Sequence, residues 1–207
     1  MRKIDKGEPL DVFTKFVRTH YPSRWEDTTG ESRVWREYML EHEQHRLSGY
    51  TELFLPDMDR THIDHFKKRE LFEDLVFNWN NLIVDSNDDS FGARYKDCHI
   101  HSRQDNERLI NPVDEDTTRF FQYESTGKMV PAAGLTDDER QRAQYTIDMF
   151  NLNEESLKDR RKLILNSDPH AYYGLSDEEV LQCLKSIGFP SVVEQLLKER
   201  RFQEETI

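Results

Sequence analysis

The sequence predicts an α+β protein: a small ββα unit surrounded by helices and followed by a helical C-terminal region. Three observations carry that expectation. Residues 61–66 have strand character and end at a histidine, after a turn at Pro56-Asp57-Met58-Asp59. Residues 50–55 alternate weakly and supply a preceding strand. Beyond residue 134, helix-start signatures recur ahead of apolar residues at helical spacing.

Taken in order, Val12, Phe13, Phe16 and Val17 predict a short amphipathic helix that stops near Tyr21-Pro22 and packs through its aromatic residues. Val34, Trp35, Tyr38, Met39 and His42 predict a second helix from Ser32 to about Arg46, ended before Gly49. The strands at 50–55 and 61–66 follow. Residues 79–84 read as the start of a helix or as a connecting segment, and 85–90 as a polar turn. Residues 118–123 and 129–131 predict a hairpin turning at Ser125-Thr126-Gly127. Thr136-Asp137-Asp138-Glu139 has the form of a capping box, because a threonine oxygen and a glutamate three residues on can satisfy each other's backbone N–H groups. Asn153 to Ser156 precede another apolar stripe, residues 169–174 form a link, and Ser176 and Pro190 open the last two helices. This divides the chain into an N-terminal helical segment, 1–47, a ββα core with its following hairpin, 48–134, and a C-terminal helical region, 135–207.

At 207 residues the chain can bury a substantial core, yet charged residues make up 34% of it, so much of its surface faces water or a partner. The formal charge of −12 opposes non-specific binding to nucleic acid, which depends on lysine and arginine meeting phosphates. A local patch of Lys67, Lys68 and Arg69 with Arg94 and Lys96 remains available, and a partner can complete it. Cys98 and Cys183 make neither a disulfide framework nor a thiolate zinc site. No apolar run approaches the roughly twenty residues that span a bilayer, and no apolar signal segment follows the charged N-terminus, so a cytoplasmic protein with no membrane contact is expected.

The residues with chemical potential cluster between His62 and His101. Asp64 adjoins His65, and the aromatic-flanked Asn81 follows about sixteen residues later. Phosphodiester hydrolysis needs an activated water and a counter-charge for the phosphate. A neutral imidazole can deprotonate the water near physiological pH, and an oxygen-ligated divalent ion can hold the phosphate. Asp64 would supply one ligand, His65 the base, and Asn81 the group that holds the loop or ring, all three meeting at one accessible pocket. Neighbours on a strand face opposite sides, so the ion must lie across the strand edge or the strand end must bend. Lys67, Lys68, Arg94 and Lys96 are candidate phosphate contacts. A surface or packing role for His65 stays open. So does a transition-metal site joining Asp64 or His65 to His99 or His101. His42 and His45 fit a solvated helix face.

Several stretches share one order with a known family: Met1-Arg2-Lys3-Ile4, residues 43–52, Ile63-Asp64-His65-Phe66, Trp79-Asn80-Asn81-Leu82, Leu109-Ile110-Asn111-Pro112, the hairpin and residues 147–161. Together they resemble the HNH endonuclease family, particularly its retron-associated and Septu (PtuB) members from bacterial anti-phage defence. The resemblance covers most of the chain. It implies a ββα-metal (His-Me finger) core, with His65 as general base, Asp64 as ligand of Mg²⁺ or Mn²⁺, and Asn81 supporting the base. The family's third position, a histidine or asparagine, falls near residues 92–96, where neither occurs. His99 is the nearest imidazole and Asp97 the nearest carboxylate, which makes His99 the candidate second metal ligand.

Family members also hold a structural zinc with four cysteines. Their places correspond here to Ser48, Thr51 and approximately Asp85 and Phe91, so no structural zinc is expected. The implied function is metal-dependent hydrolysis of DNA as the effector of a defence complex. The implied partners are DNA, an ABC/SMC-like ATPase and, in related systems, a retron reverse transcriptase with its RNA–DNA product. The competing expectation is a catalytically degenerate structural or adaptor subunit with the same fold.

Overall fold

The computed structural model describes residues 1–28, 30–167, 174–184 and 186–204. It is a mixed α and β structure with two small antiparallel sheets. The first sheet pairs β1 (Thr61–His65) with β2 (Leu82–Ser86), Asp64 opposite Ile83 and His65 opposite Leu82. Helix α3 (Gly92–His99) follows β2, giving the order strand, strand, helix.

This pairing corrects the sequence reading of the strands. Residues 50–55 are not a strand: Tyr50 and Thr51 lie in a turn, and Leu53 and Phe54 make only isolated bridges, to Gly188 and Leu47. Tyr50 is drawn into the core, its ring 4.3 Å from that of Phe150. The second strand is instead Leu82-Ile83-Val84-Asp85-Ser86, entered through a 3-10 turn at Trp79–Asn81. Its first four residues are all buried, so it lacks the alternation that marks a half-exposed strand.

Each face of the sheet has its own cover, because successive strand residues point to opposite sides. Leu82 and Val84 pack with Phe13 and Phe16 of α1 (Asp11–His20), Trp35 of α2 (Glu31–Tyr38) and Trp79. The Phe13 ring lies 5.0 Å from Trp35 and 4.9 Å from Trp79. The predicted second helix does not run straight to Arg46: after Tyr38 it passes into a π-turn over Met39–Glu43. Ile83 points the other way, into the main core with Tyr50, Phe66 and Phe150.

That core also takes in Leu135, Ala143 and Ile147 of the C-terminal region, so no break in packing occurs at residue 134. Helix α4 (Arg103–Glu107) leads to the hairpin of β3 (Phe121–Tyr123) and β4 (Met129–Pro131). Its turn contains Gly127 at φ +81°, where an added Cβ would stand 2.0 Å from Lys158 O. Helix α5 (Asp137–Met149) starts with the expected capping box between Thr136 and Glu139. Arg161 of α6 (Glu155–Leu165) is buried and donates to Gly127 O and Leu152 O, each at 2.7 Å. Helices α7 (Asp177–Leu184) and α8 (Pro190–Glu204) close the fold, and residues 169–173 of the expected link lie outside the described residues. Among the described residues no helix is long and apolar enough to cross a membrane.

Candidate functional site

Asp64 and His65 close β1, and they face opposite sides of the sheet. Asp64 shares its face with Ile83 and is covered by α3, whereas His65 shares its face with Leu82 and meets Trp25 edge-on at 4.6 Å. Both border a pocket of about 140 Å³ along the free edge of β1, which His62, Lys68, Arg69 and Asp97 also line. The pocket therefore spans the strand edge, as two adjacent side chains of a strand require if both are to reach one space.

The histidine is held from behind. Its Nε2 lies 3.0 Å from Val76 O, and a carbonyl only accepts, so Nε2 carries the proton and Nδ1 keeps its lone pair. Burial lowers the pKa of the ring, against the pull of the Asp64 carboxylate, and favours neutral imidazole. Asn81 fixes the loop that supplies Val76. Its Oδ1 accepts from Lys67 N at 2.7 Å, while Nδ2 donates to Lys67 O and Leu75 O at 3.1 Å each. Asn81 thus grips both ends of the 67–75 loop and does not enter the pocket. Asn106, which sequence reasoning missed, makes a parallel clamp by accepting from Lys68 N at 2.9 Å and donating to Phe66 O at 3.0 Å.

Asp64 is saturated by the protein itself. The Lys96 ammonium donates to Oδ1 at 3.0 Å and Oδ2 at 2.8 Å, and the Tyr50 hydroxyl donates to Oδ2 as well. Lys96 Nζ also reaches His65 O at 2.9 Å. The two side chains are 0% and 2% exposed. Burial pushes the Asp64 carboxyl up, but Lys96 and then His62 outweigh it and hold the group below its ordinary range. Burial likewise lowers Lys96, and Asp64 with Asp97 more than restores it. Asp97 Oδ1 is 3.1 Å from the ammonium but out of line for a hydrogen bond, so the contact is an ion pair only. Burial, followed by repulsion from Asp64, raises the Asp97 carboxyl to about 6.

The expected phosphate contacts are mostly engaged within the chain. Lys96 has no exposed surface and is not available to a phosphate, because its ammonium neutralises Asp64 instead. The signal for that burial is its spacing: Ala93, Lys96 and Ile100 fall at i, i+3 and i+7, and all three are buried. Lys68 Nζ donates to Asp97 O at 2.7 Å and Ile100 O at 3.2 Å. Arg94 pairs with Asp89 at 2.9 Å, and Lys67 Nζ lies over the Phe72 ring at 5.7 Å. His99 is exposed, stacks on Tyr95 at 4.0 Å, and does not line the Asp64 pocket. Among the described residues no three of His, Cys, Asp and Glu converge as a set able to hold a metal ion. The donors present do not fit a divalent ion at Asp64, since both carboxylate oxygens already face an ammonium.

A second buried cluster lies on the same face of the sheet. Ser48 Oγ donates to Asp85 Oδ1 at 2.5 Å and accepts from Thr51 Oγ1 at 2.8 Å and Thr51 N at 3.0 Å. Ala93 N donates to Asp85 Oδ2 at 2.7 Å. Gly92, at φ +74°, permits this approach, because a Cβ there would stand 2.2 Å from Asp85 Oδ2. Burial raises the Asp85 carboxyl despite the opposing Ser48 hydroxyl and Ala93 N–H. The family resemblance places zinc ligands at Ser48 and Thr51 and approximately at Asp85 and Phe91; the last of these is in the apolar core.

Neither the family models nor the curated proteins with which the chain was compared give a match.

Proposed function

We propose that this chain is an HNH-type (His-Me finger) subunit of an anti-phage defence assembly whose hydrolytic centre is closed by its own lysine. It serves there as a structural or adaptor component. One observation carries the reading: the buried Lys96 ammonium bridges both oxygens of Asp64, the carboxylate on which a catalytic ion would depend. A second cation there would face direct charge repulsion in a site of low polarity.

The HNH element of the proposal is supported by the strand–strand–helix order, by His65 at the end of β1, and by Asn81 gripping the loop that orients it. The meeting of Ser48 and Thr51 with Asp85 is consistent with it, since these stand at or near the positions where the resemblance puts zinc ligands. The proposed partners are those of the resemblance: an ABC/SMC-like ATPase, with DNA and a retron reverse transcriptase product reached through the assembly. A charge of −12 fits a subunit that relies on its partner to hold nucleic acid.

The second reading is an active metal-dependent DNA endonuclease, and His65 favours it. A neutral imidazole with Nε2 committed to Val76 O and Nδ1 free is suited to act as a general base. Plasmid cleavage by the purified chain, alone and with its neighbouring ATPase in Mg²⁺ or Mn²⁺, separates the two. The expected result is no cleavage above that of His65→Ala, with the assembly intact in both. Metal-dependent cleavage that His65→Ala abolishes while assembly persists would establish the nuclease. Calorimetric titration with Mn²⁺ should show no binding that Asp64→Asn removes.

A further inference from the structure

The opposite end of the β1–β2 sheet opens onto a groove of about 560 Å³, within the usual size of small-molecule sites. Arg60 and Ser86 stand where β1 begins and β2 ends, and Arg160 of α6 lines the same groove. Phe54 contributes a half-buried aromatic face.

Three features point to a ligand. Arg160 has no hydrogen-bond or ion-pair partner among the described residues, in a chain where 41 acidic residues face 29 basic ones. Among the described residues the Arg60 side chain pairs only with Asp57, Nε 3.9 Å from Oδ2, and it is 87% exposed. Ser86 Oγ, of a residue on the same lining, is shielded from water and has no partner among the described residues, which leaves a hydroxyl hydrogen bond unmade. The two carboxylates of the groove already serve their own turns: Asp57 Oδ1 accepts from Asp59 N at 2.9 Å, and Asp88 Oδ1 from Ser90 N at 2.8 Å.

We propose that this groove binds a mononucleotide, its base against Phe54 and its phosphate at Arg60 and Arg160, with the Ser86 hydroxyl turning into the groove to complete a hydrogen bond to the ligand. Guanidinium groups suit phosphate because their planar N–H pairs match its oxygens, and an aromatic face gives a base a stacking surface. The site is separate from the His65 pocket and does not depend on what that pocket does.

Isothermal titration calorimetry on the full chain tests this with AMP and GMP, against adenosine and inorganic phosphate. At least one nucleotide should bind more tightly than either fragment. Arg60→Gln/Arg160→Gln should weaken that binding by about tenfold or more, without changing the thermal melt, since both side chains are exposed. No heat of binding at millimolar nucleotide, unchanged affinity in the double variant, or adenosine or phosphate binding as tightly as the nucleotide would each overturn the proposal.

Discussion

Asp64 and Asp85 are buried carboxylates on adjacent strands of one sheet, facing the same side, and they are satisfied in different ways. Asp64 meets a full positive charge and is held ionised. Asp85 meets a serine hydroxyl and a backbone N–H, and burial pushes its pKa up. Dipolar donors reduce the cost of burying a charge, whereas an ammonium can cancel it. A protein can thus compensate two buried carboxylates by different means: one with its own cation, the other with a hydrogen-bonded network.

The sharpest way to break this contrast is to remove the lysine. Lys96→Met leaves Asp64 charged in a dry site and should cost about 3–5 kcal/mol in denaturant unfolding. Adding Asp64→Leu should recover most of that loss. If the double variant is no more stable than the single one, the ion pair is not the reason the lysine is needed. Ser48→Ala removes one donor to Asp85 while leaving Ala93 N in place, and should cost about 1–3 kcal/mol. A loss as large as that of Lys96→Met would erase the distinction.

Acid titration sharpens the contrast further, because the two carboxylates act on stability with opposite signs. The folded pKa of Asp64 lies below its ordinary value of 3.8, so its stabilisation is complete above that value and is lost as pH falls through the folded pKa. The folded pKa of Asp85 lies above 3.8, so ionising it weakens the fold as pH rises through the interval between the two values. Asp85→Asn should therefore be less destabilising at pH 7 than below pH 3.8, and Asp64→Asn more destabilising at pH 7 than below pH 3.8, in unfolding curves measured on both sides of that value.

The smallest expected effect is at Asp97, whose carboxyl is raised to about 6 and whose side chain is 43% exposed. Its ionisation costs stability between pH 3.8 and about 6, so Asp97→Asn should slightly raise the melting temperature at pH 7 and have no such effect below pH 4. A loss at pH 7 would mean that its pairing with Lys96 outweighs the repulsion from Asp64.

Where a local interaction fixes the backbone, the sequence was easy to read. The Thr136 capping box starts α5 as its spacing implies, and the turn around Gly127 joins two strands at the expected place. Asn81 holds the 67–75 loop beside the histidine, but it does not line the pocket where it was expected to meet Asp64 and His65. The strands were harder. Leu82-Ile83-Val84 is too short and too uniformly apolar for periodicity to separate strand from helix, and residues 50–55 alternate but make only isolated bridges. Lys96 was read as a surface cation because lysine is rarely fully buried, and only the partners around it overcome that preference.

By itself, the sequence determined the mixed α and β class, the placement of His65 at a strand end, the hairpin, and the capped helices that follow. Those features follow from side-chain periodicity and from hydrogen bonds made within a few residues. Tertiary structure decided which strand pairs with β1 and which cation answers Asp64. Asp64 lies 32 residues from Lys96, and Ser48 lies 37 from Asp85, so neither partnership is present in any local window. Each is enforced by the same physical demand: once packing excludes water from a carboxylate, some distant group must replace the solvation it has lost.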